Sequence, residues 1–205
     1  MKNIIFDIGN VLIEWNPNIV YKKYFAGDTI KMNRFYEETG IHQANTEMDR
    51  GSSFQEVLTE LINKFPLYRE PILLWKTEWL NMVGGPIATS IQILESLHAQ
   101  NYPLYALTNF ATETFFTYIR PDKKYAFLDY FKDIVISGIE HTIKPDLAIY
   151  KILLARNKLD PKNCIYIDDS PINLPPAQEL GMATIRFTSP AQLKERLEEL
   201  EITTI

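Results

Sequence analysis

Five short hydrophobic runs recur along the chain, and each run ends in polar residues. The runs are rich in Ile, Val, Tyr or Phe. Continuous hydrophobic runs of this length are typical of strands that are buried on both faces of a parallel sheet. The predicted strands cover residues 3–6, 103–107, 133–137, 164–167 and 182–187.

Helical patterns lie between most of these strands. Apolar residues recur every three to four positions in residues 87–100 and 147–159. A last helix is predicted to begin at Ser189-Pro190, because Ser is a favoured N-cap and Pro suits the first helical position. Strands that alternate with helices predict an α/β fold with a doubly wound parallel sheet.

The alternation is interrupted directly after the first strand. Residues 15–83 carry helical patterns and no convincing strand. Ser53 and Glu56 have the spacing of a capping box, which predicts a helix over residues 54–65. The Gly-Gly-Pro sequence at residues 84–86 is typical of a hinge that returns the chain to the core. The predicted domains are a core of residues 1–14 and 86–205 and a helical insertion of residues 15–85.

Composition indicates a folded soluble protein. The chain has 205 residues, of which 46% are hydrophobic, and this content excludes intrinsic disorder. The net charge of −5 disfavours a broad nucleic-acid surface, and no apolar run reaches the ~18 residues of a membrane span. A lone Cys164 forms no internal disulfide, and Asp7 interrupts any signal-peptide pattern. We therefore expect a cytoplasmic monomer or homodimer without nucleic-acid or membrane partners.

Polar side chains follow four of the predicted strands. They are Asp7 after the first strand, Thr108 and Asn109 after the second, Lys144 after the third, and Asp168 and Asp169 after the fourth. Taken alone, each is more typical of a turn or a surface position. In a doubly wound sheet, however, ligands bind beyond the carboxyl ends of the strands. The adjacent acids Asp168 and Asp169 also repel each other unless a cation compensates them.

Together these residues suit phosphoryl transfer. Mg²⁺ prefers oxygen ligands, and Asp7 and Asp169 are candidate carboxylate ligands beside a substrate phosphate. A hydroxyl, an amide and an ammonium group can hold the other phosphate oxygens. An Asp carboxylate can attack phosphorus and form an aspartyl-phosphate.

Four segments, in order along nearly the whole chain, resemble the motifs of the haloacid dehalogenase (HAD) superfamily of hydrolases. They are Ile-Ile-Phe-Asp-Ile-Gly-Asn-Val-Leu at residues 4–12, Leu-Tyr-Ala-Leu-Thr-Asn at 104–109, Lys-Pro-Asp at 144–146, and Ile-Tyr-Ile-Asp-Asp at 165–169 followed by Asn173. The insertion is similar to the helical cap of the superfamily's first cap class. The pattern is most similar to the branch of bacterial phosphatases that act on sugar phosphates such as glucose 1-phosphate.

The resemblance implies a fold, an activity and a set of roles. It implies a HAD-like core with strand order 3-2-1-4-5, and an Mg²⁺-dependent phosphatase that hydrolyses small phosphorylated metabolites, sugar phosphates above all, through an aspartyl-phosphate. The implied roles are Asp7 as nucleophile, Thr108 and Asn109 as phosphoryl ligands, Lys144 as the neutralising cation, Asp7, Asp169 and the Gly9 carbonyl as metal ligands, and Asp168 and Asn173 as supporting residues.

Gly9 departs from the superfamily pattern. Most of its phosphatases carry a second Asp at this position, which acts as acid and base, and Gly cannot transfer a proton. Mutase activity is therefore not expected, and simple alkyl phosphates should react slowly because an alkoxide leaving group needs protonation. Anomeric and acyl phosphates leave more easily and are the better candidate substrates.

Two other functions remain open at this point. A 2-haloacid dehalogenase on the same scaffold needs no acid at Gly9, although the acids Asp168 and Asp169 argue for a metal site instead. A non-enzymatic phosphoacceptor module also carries acids, Thr and Lys at strand ends, but it needs no helical insertion.

Within the insertion, the polar residues 42–50 are interpreted as a solvated connection between helices. Trp15 and Asn16 directly follow the first motif and are better candidates for contact with substrate. Trp75 and Trp79 are predicted to lie in the core of the insertion, together with Phe35 or Tyr36.

Overall fold

Seven strands lie within residues 2–202, the part of the chain that the computed structural model describes. They are β1 (Asn3–Phe6), β2 (Ile13–Trp15), β3 (Val83–Pro86), β4 (Leu104–Thr108), β5 (Asp133–Ile136), β6 (Cys164–Asp168) and β7 (Ala183–Arg186). Five of them form a parallel sheet in the order β5-β4-β1-β6-β7. The predicted strand order 3-2-1-4-5 is therefore confirmed.

Eleven α-helices lie within the same residues. They are α1 (Asn18–Tyr24), α2 (Thr29–Thr39), α3 (Ile41–Asp49), α4 (Phe54–Lys64), α5 (Arg69–Thr77), α6 (Ala88–Ala99), α7 (Thr112–Thr114), α8 (Ser137–Glu140), α9 (Leu147–Asn157), α10 (Leu174–Glu179) and α11 (Pro190–Glu199). Of the described helices, none has the combination of length and hydrophobicity that crossing a membrane requires.

Two predicted helix starts are confirmed by their capping bonds. The Ser53 hydroxyl accepts a hydrogen bond from the Glu56 amide at 3.2 Å, which begins α4. In the same way, the Ser189 hydroxyl accepts from the Gln192 amide at 3.2 Å and begins α11, with Pro190 at its first position. Each cap satisfies an amide that the helix itself leaves unpaired.

The central sheet is buried on both faces, as its continuous hydrophobic strands predict. Along β1, Ile4 and Phe6 belong to one hydrophobic cluster, whereas Ile5 belongs to another. Alternate residues of a strand point to opposite faces of the sheet, so hydrophobic side chains cover both faces. Burial on both faces fixes the register of β1, and with it the position of Asp7 just beyond the strand.

The prediction of no strand within residues 15–83 is wrong at both ends of that range, and residues 84–86, which were interpreted as a hinge, belong to a strand. Val83–Pro86 pairs with Ile13–Trp15 as a short antiparallel ribbon where the insertion leaves and rejoins the core. A Cβ at Gly84 would collide with the Glu14 side chain across this ribbon, so close strand approach requires Gly here. The proposed domain boundaries at residues 14/15 and 85/86 fall within the ribbon and stay a prediction.

The insertion encloses its own aromatic centre. Trp75 and Phe35 are fully buried there, and Trp79 is buried too, as predicted. Tyr21 joins them, with its ring centroid 5.1 Å from that of Phe35 and 5.9 Å from that of Trp75. Tyr36 is partly buried against the same cluster.

The interpretation of residues 42–50 as a connection is also wrong, since Ile41–Asp49 forms α3. Ile41 and Met48 are fully buried, seven positions apart, and anchor one face of this helix. Burial of these two apolar side chains is enough to favour a helix here, although the segment is mostly polar and gives little helical pattern in the sequence.

Candidate active site

The ends of three central strands meet at one edge of the sheet. β1 lies between β4 and β6, with Phe6 opposite Ala106 on one side and Ile167 on the other. A cavity of about 460 Å³ opens beyond these ends. From the core, the residues that line it include Asp7, Gly9, Asn109, Lys144, Asp169 and Asn173. Sequence positions more than 160 residues apart therefore converge on one cavity.

Lys144 joins two acids at the base of the cavity. Its Nζ lies 2.9 Å from Asp7 Oδ1 and 2.8 Å from Asp168 Oδ2, and its side chain is 1% exposed. Burial by itself lowers the pKa of Lys144, but the charges of Asp7 and Asp168 outweigh burial and raise it. Lys144 is therefore held as a cation between the two carboxylates.

Asp168 is fully buried and its two oxygens are engaged within the protein. Oδ1 accepts from the Ser170 amide at 2.8 Å and from Asn173 Nδ2 at 3.0 Å. Oδ2 accepts from Lys144 and from the Tyr166 hydroxyl. These bonds occupy the acceptor sites of the carboxylate, so Asp168 acts on the cavity by holding Lys144 in place.

Asp7 carries a carboxyl whose ionisation is strongly perturbed. Burial raises its pKa to about 7, with a further rise from the charge of Asp168 and an opposing effect of Lys144. Its Oδ1 accepts from the Ile8 amide at 2.7 Å as well as from Lys144. Among the described residues, none donates a hydrogen bond to Oδ2, which leaves that oxygen for a ligand or a reacting atom.

Three carboxylates lie close together at this point and form an acidic cluster. One oxygen each from Asp7, Asp168 and Asp169 lies within 4.8 Å of the others, close to the ~4 Å between opposite ligands of one Mg²⁺ ion. Burial and the Asp168 charge raise the pKa of the partly exposed Asp169. When ionised, the three acids exceed the single charge of Lys144 by two, which matches the charge of a divalent cation, and Asp7 and Asp169 are its candidate carboxylate ligands because the oxygens of Asp168 already accept hydrogen bonds.

Thr108 is the last residue of β4, whereas the prediction placed it after the strand, and Asn109 is the first residue after the strand; their side chains differ in what they contact. Thr108 Oγ1 is buried and has no hydrogen-bond partner among the described residues. Leaving such a group unpaired costs about 1–3 kcal/mol, and a bound phosphate oxygen would remove that cost. The Asn109 amide instead binds the Lys144 backbone, accepting from its N–H at 2.8 Å and donating to its carbonyl at 3.0 Å.

The insertion supplies the opposite wall of the cavity. Its polar part comes from α3, and an aromatic part comes from residues on both sides of the ribbon. The residues of this wall from the insertion include Asn45, Thr46, Asp49, Trp15 and Trp79, and Phe110 of the core lies next to them. Trp15 and Trp79 lie with ring centroids 5.2 Å apart, and Trp79 and Phe110 with centroids 5.7 Å apart.

Sequence reasoning singled out Trp15 correctly as a residue of the cavity but paired it with the wrong neighbour. Asn16 does not line the cavity; its Oδ1 accepts from the Asn18 amide at 3.1 Å at the start of α1. Asp49 was missed because residues 42–50 were interpreted as a connection. The spacing of Ile41 and Met48 was the available signal, since Asn45 and Asp49, four positions apart, share a side of such a helix and lie next to its buried residues.

A family model for haloacid dehalogenase-like hydrolases matches residues 1–181. The chain belongs to this family. Membership accounts for the order of the four motifs and for the parallel sheet that brings them together, and it makes the protein a hydrolase. It does not support the non-enzymatic phosphoacceptor module.

Two curated proteins that resemble the chain are named as a phosphatase and as a hydrolase. The sesquiterpene phosphatase astK of Aspergillus oryzae is 26% identical over 189 residues, which is 91% of this chain and 90% of that protein. Flavin mononucleotide hydrolase 1 of Arabidopsis thaliana is 29% identical over 111 residues, or 54% of this chain. That second match covers only 44% of the plant protein, so this chain aligns with less than half of its length.

Solved structures of HAD proteins share the fold. A hydrolase from Porphyromonas gingivalis has a TM-score of 0.72 at 22% identity, with 98% of each chain covered. A Bacteroides thetaiotaomicron HAD enzyme, crystallised with magnesium and inorganic phosphate as an Asp12Ala mutant, has a TM-score of 0.69 at 23% identity, with 92% and 94% covered. L-2-haloacid dehalogenase from Xanthobacter autotrophicus has a TM-score of 0.66 at 14% identity, with 100% and 84% covered.

Proposed function

We propose that this HAD protein is an Mg²⁺-dependent phosphatase of small phosphorylated metabolites, which works through a phosphoryl group on Asp7. The observation that carries the proposal is the convergence of Asp7, Lys144 and Asp169 on one cavity. Asp168 supports it by pairing with Lys144 at 2.8 Å. A nucleophile, a cation and a site for a metal are the parts that phosphoryl transfer requires.

Asp7 and Asp169 would hold the Mg²⁺ ion, together with the Gly9 carbonyl. The bound ion would neutralise charge on the phosphoryl oxygens and on the nucleophile. Neutralisation would also keep Asp7 ionised, which its burial otherwise opposes. The carboxylate that attacks phosphorus is then available at neutral pH.

The chain's own residues position the reacting groups. Lys144 holds Asp7 Oδ1 at 2.9 Å, which directs Oδ2 toward the phosphorus atom for attack. Thr108 Oγ1, which lacks a partner among the described residues, would donate to a phosphoryl oxygen. The Asn109 amide fixes the Lys144 backbone, so the two loops move as one.

The substrate class follows from the leaving group and from the cavity wall. Sugar 1-phosphates are proposed as favoured over 6-phosphates, because the anomeric oxygen is the better leaving group whether or not another acid takes the place of the one that Gly9 lacks. Trp15, Trp79 and Phe110 offer faces to a ring next to the phosphate. The same wall supports a second substrate class, flat or apolar phosphate esters, as the names of the flavin mononucleotide hydrolase and the sesquiterpene phosphatase indicate for those proteins.

The test is a phosphate-release screen that compares hexose 1-phosphates, hexose 6-phosphates, a flavin phosphate and a prenyl phosphate, with Asp7→Asn as control. We expect turnover that needs Mg²⁺, stops with a chelator and is absent in the variant. Absence of phosphate release from every ester, with or without Mg²⁺, would contradict the proposal. Halide release from a 2-haloacid that persists in a chelator would favour the dehalogenase alternative.

A further inference from the structure

A carboxylate from the inserted segment lies in the cavity where Gly9 leaves the chemistry without a proton donor. Asp49 ends α3 and lines the cavity together with Asp7 and Lys144. Asp168 and the metal ligands already have roles at the base of the cavity. Asp49 is thus an acid on the opposite wall that the proposed phosphatase reaction has not yet used.

The Asp49 carboxylate lies against the loop that follows β4. The amide of Ala111, two residues after Asn109, is close enough to the Asp49 carboxyl to lower its pKa. Asp49 Oδ2 accepts a hydrogen bond from Asn45 Nδ2 at 2.8 Å. Asn109 begins this loop and lines the same cavity as Asp49, so Asp49 borders the space proposed for the phosphate.

The backbone around Asp49 is fixed to the core from more than one side. The Ser137 hydroxyl donates to the Asp49 carbonyl at 2.6 Å and accepts from the Phe110 amide at 2.9 Å. Gly51 has a φ of +108°, and a Cβ there would collide with His141. This close packing holds the end of α3 against the core, which positions the carboxylate without a movement of the insertion.

The ionisation of the Asp49 carboxyl suits proton transfer near neutral pH. Burial raises the pKa of Asp49 to about 7, against the opposing effects of the Ala111 amide and the Lys144 charge. A group with a pKa near the working pH can both give and take a proton. Glu14 also lines the cavity, but it is exposed and its side chain lies over Gly84 rather than on the loop after β4.

We propose that Asp49 is the general acid and base of this phosphatase, in place of the missing acid at Gly9. In the first step Asp7 attacks phosphorus, the bond from phosphorus to the leaving oxygen breaks, and that oxygen takes the Asp49 proton to become an alcohol. In the second step water attacks phosphorus and gives a proton to Asp49. The bond to Asp7 then breaks, which releases inorganic phosphate and restores both acids.

The inference rests on the proposed function, and leaving-group dependence tests it separately. We compare wild type, Asp49→Asn and the control Glu47→Gln, which removes an exposed carboxylate from the same helix. The Asn side chain keeps an oxygen acceptor for Asn45 Nδ2, so the fold should persist. The substrates are p-nitrophenyl phosphate, whose leaving group needs no proton, and an alkyl phosphate, whose leaving group does. First-turnover rates are measured by rapid quench with Mg²⁺.

In Asp49→Asn we expect the first-turnover rate with the alkyl phosphate to fall by about 10²–10⁴-fold. With p-nitrophenyl phosphate the burst of nitrophenolate should change only slightly. The steady-state release should slow, because the second step uses Asp49 as the base. Adding Gly9→Asp to Asp49→Asn should restore part of the alkyl activity. A Cβ at Gly9 meets no atom within 4 Å, so this substitution fits. Glu47→Gln should match wild type with both esters.

Equal loss of both first-turnover rates in Asp49→Asn would overturn the inference, because a merely structural residue acts on both leaving groups. Unchanged rates with both esters would overturn it as well. Wild-type protein that cleaves neither ester would overturn the proposed function and the inference together. Selective loss of the alkyl ester alone supports Asp49 as proton donor.

Discussion

Neutralising the proposed nucleophile should stabilise the metal-free protein. The pKa of Asp7 lies at about 7 in the folded protein, against an ordinary value of 3.8. Each tenfold change in proton affinity is worth about 1.4 kcal/mol, so the ionised carboxylate costs the fold about 4 kcal/mol at pH 8 and about 1 kcal/mol at pH 4.5. Asp7→Asn removes this cost and should stabilise the protein more at the higher pH.

The pH dependence of the stability change in Asp7→Asn identifies its cause as the ionisation of Asp7. Below pH 3.8 the carboxyl is protonated in folded and unfolded chains alike, so its burial brings no ionisation cost. The cost grows as the pH rises to about 7 and is then complete. The attraction of Lys144 is already included in the pKa of about 7, so the difference between the two pH values, about 3 kcal/mol, reports the whole effect of Asp7 ionisation.

The assay is urea unfolding in a chelator at pH 4.5 and pH 8, with wild type, Asp7→Asn and Asp129→Asn. Asp129 is a matched control, since its side chain is 65% exposed and pairs with Arg120 on the surface. Its substitution should leave stability unchanged at both pH values. Added Mg²⁺ at pH 8 should stabilise wild type more than Asp7→Asn. An Asp7→Asn effect that is the same at both pH values, or that reverses with pH, would refute the reasoning.

Three further substitutions test individual contacts. Ser53→Ala removes the cap of α4 and should lower the free energy of unfolding by about 1 kcal/mol with no change in kcat, measured by urea unfolding and steady-state kinetics. Trp75→Phe removes the 2.9 Å hydrogen bond from the indole to Asn45 Oδ1. The substitution should lower the free energy of unfolding by about 1–3 kcal/mol and raise KM. An unchanged free energy of unfolding and an unchanged KM would contradict this prediction. Ser137→Ala should lower alkyl phosphate turnover more than nitrophenyl phosphate turnover, because its hydroxyl positions the end of α3; equal losses would argue against this.

The central sheet and the acids at its edge could be predicted from the sequence because both follow from local patterns. A strand buried on both faces must be hydrophobic throughout, and the residue after it enters the loop where ligands bind. Asp7 and Asp169 could therefore be named without coordinates. Which acid would pair with Lys144 could not, because that depends on which oxygen of Asp168 or Asp169 points inward.

The wall that the insertion supplies was harder to predict from the sequence. The β2–β3 ribbon contains Gly84 and Gly85, which have low strand propensity, and it forms only through pairing with residues about seventy positions earlier. In α3, the helical stripe consists of little more than Ile41 and Met48. Long-range pairing and sparse burial leave weak local signals, so Asp49 was not recognised as a residue of the cavity.

The most direct test of the account is whether Asp7 becomes phosphorylated during turnover. Wild-type protein is mixed with p-nitrophenyl phosphate and Mg²⁺, quenched in acid within one turnover and digested for mass spectrometry. The account predicts that the peptide with Asp7 gains the mass of one phosphoryl group, and that Asp7→Asn shows no gain. Rapid nitrophenolate release without any phosphorylated Asp7 peptide would contradict it.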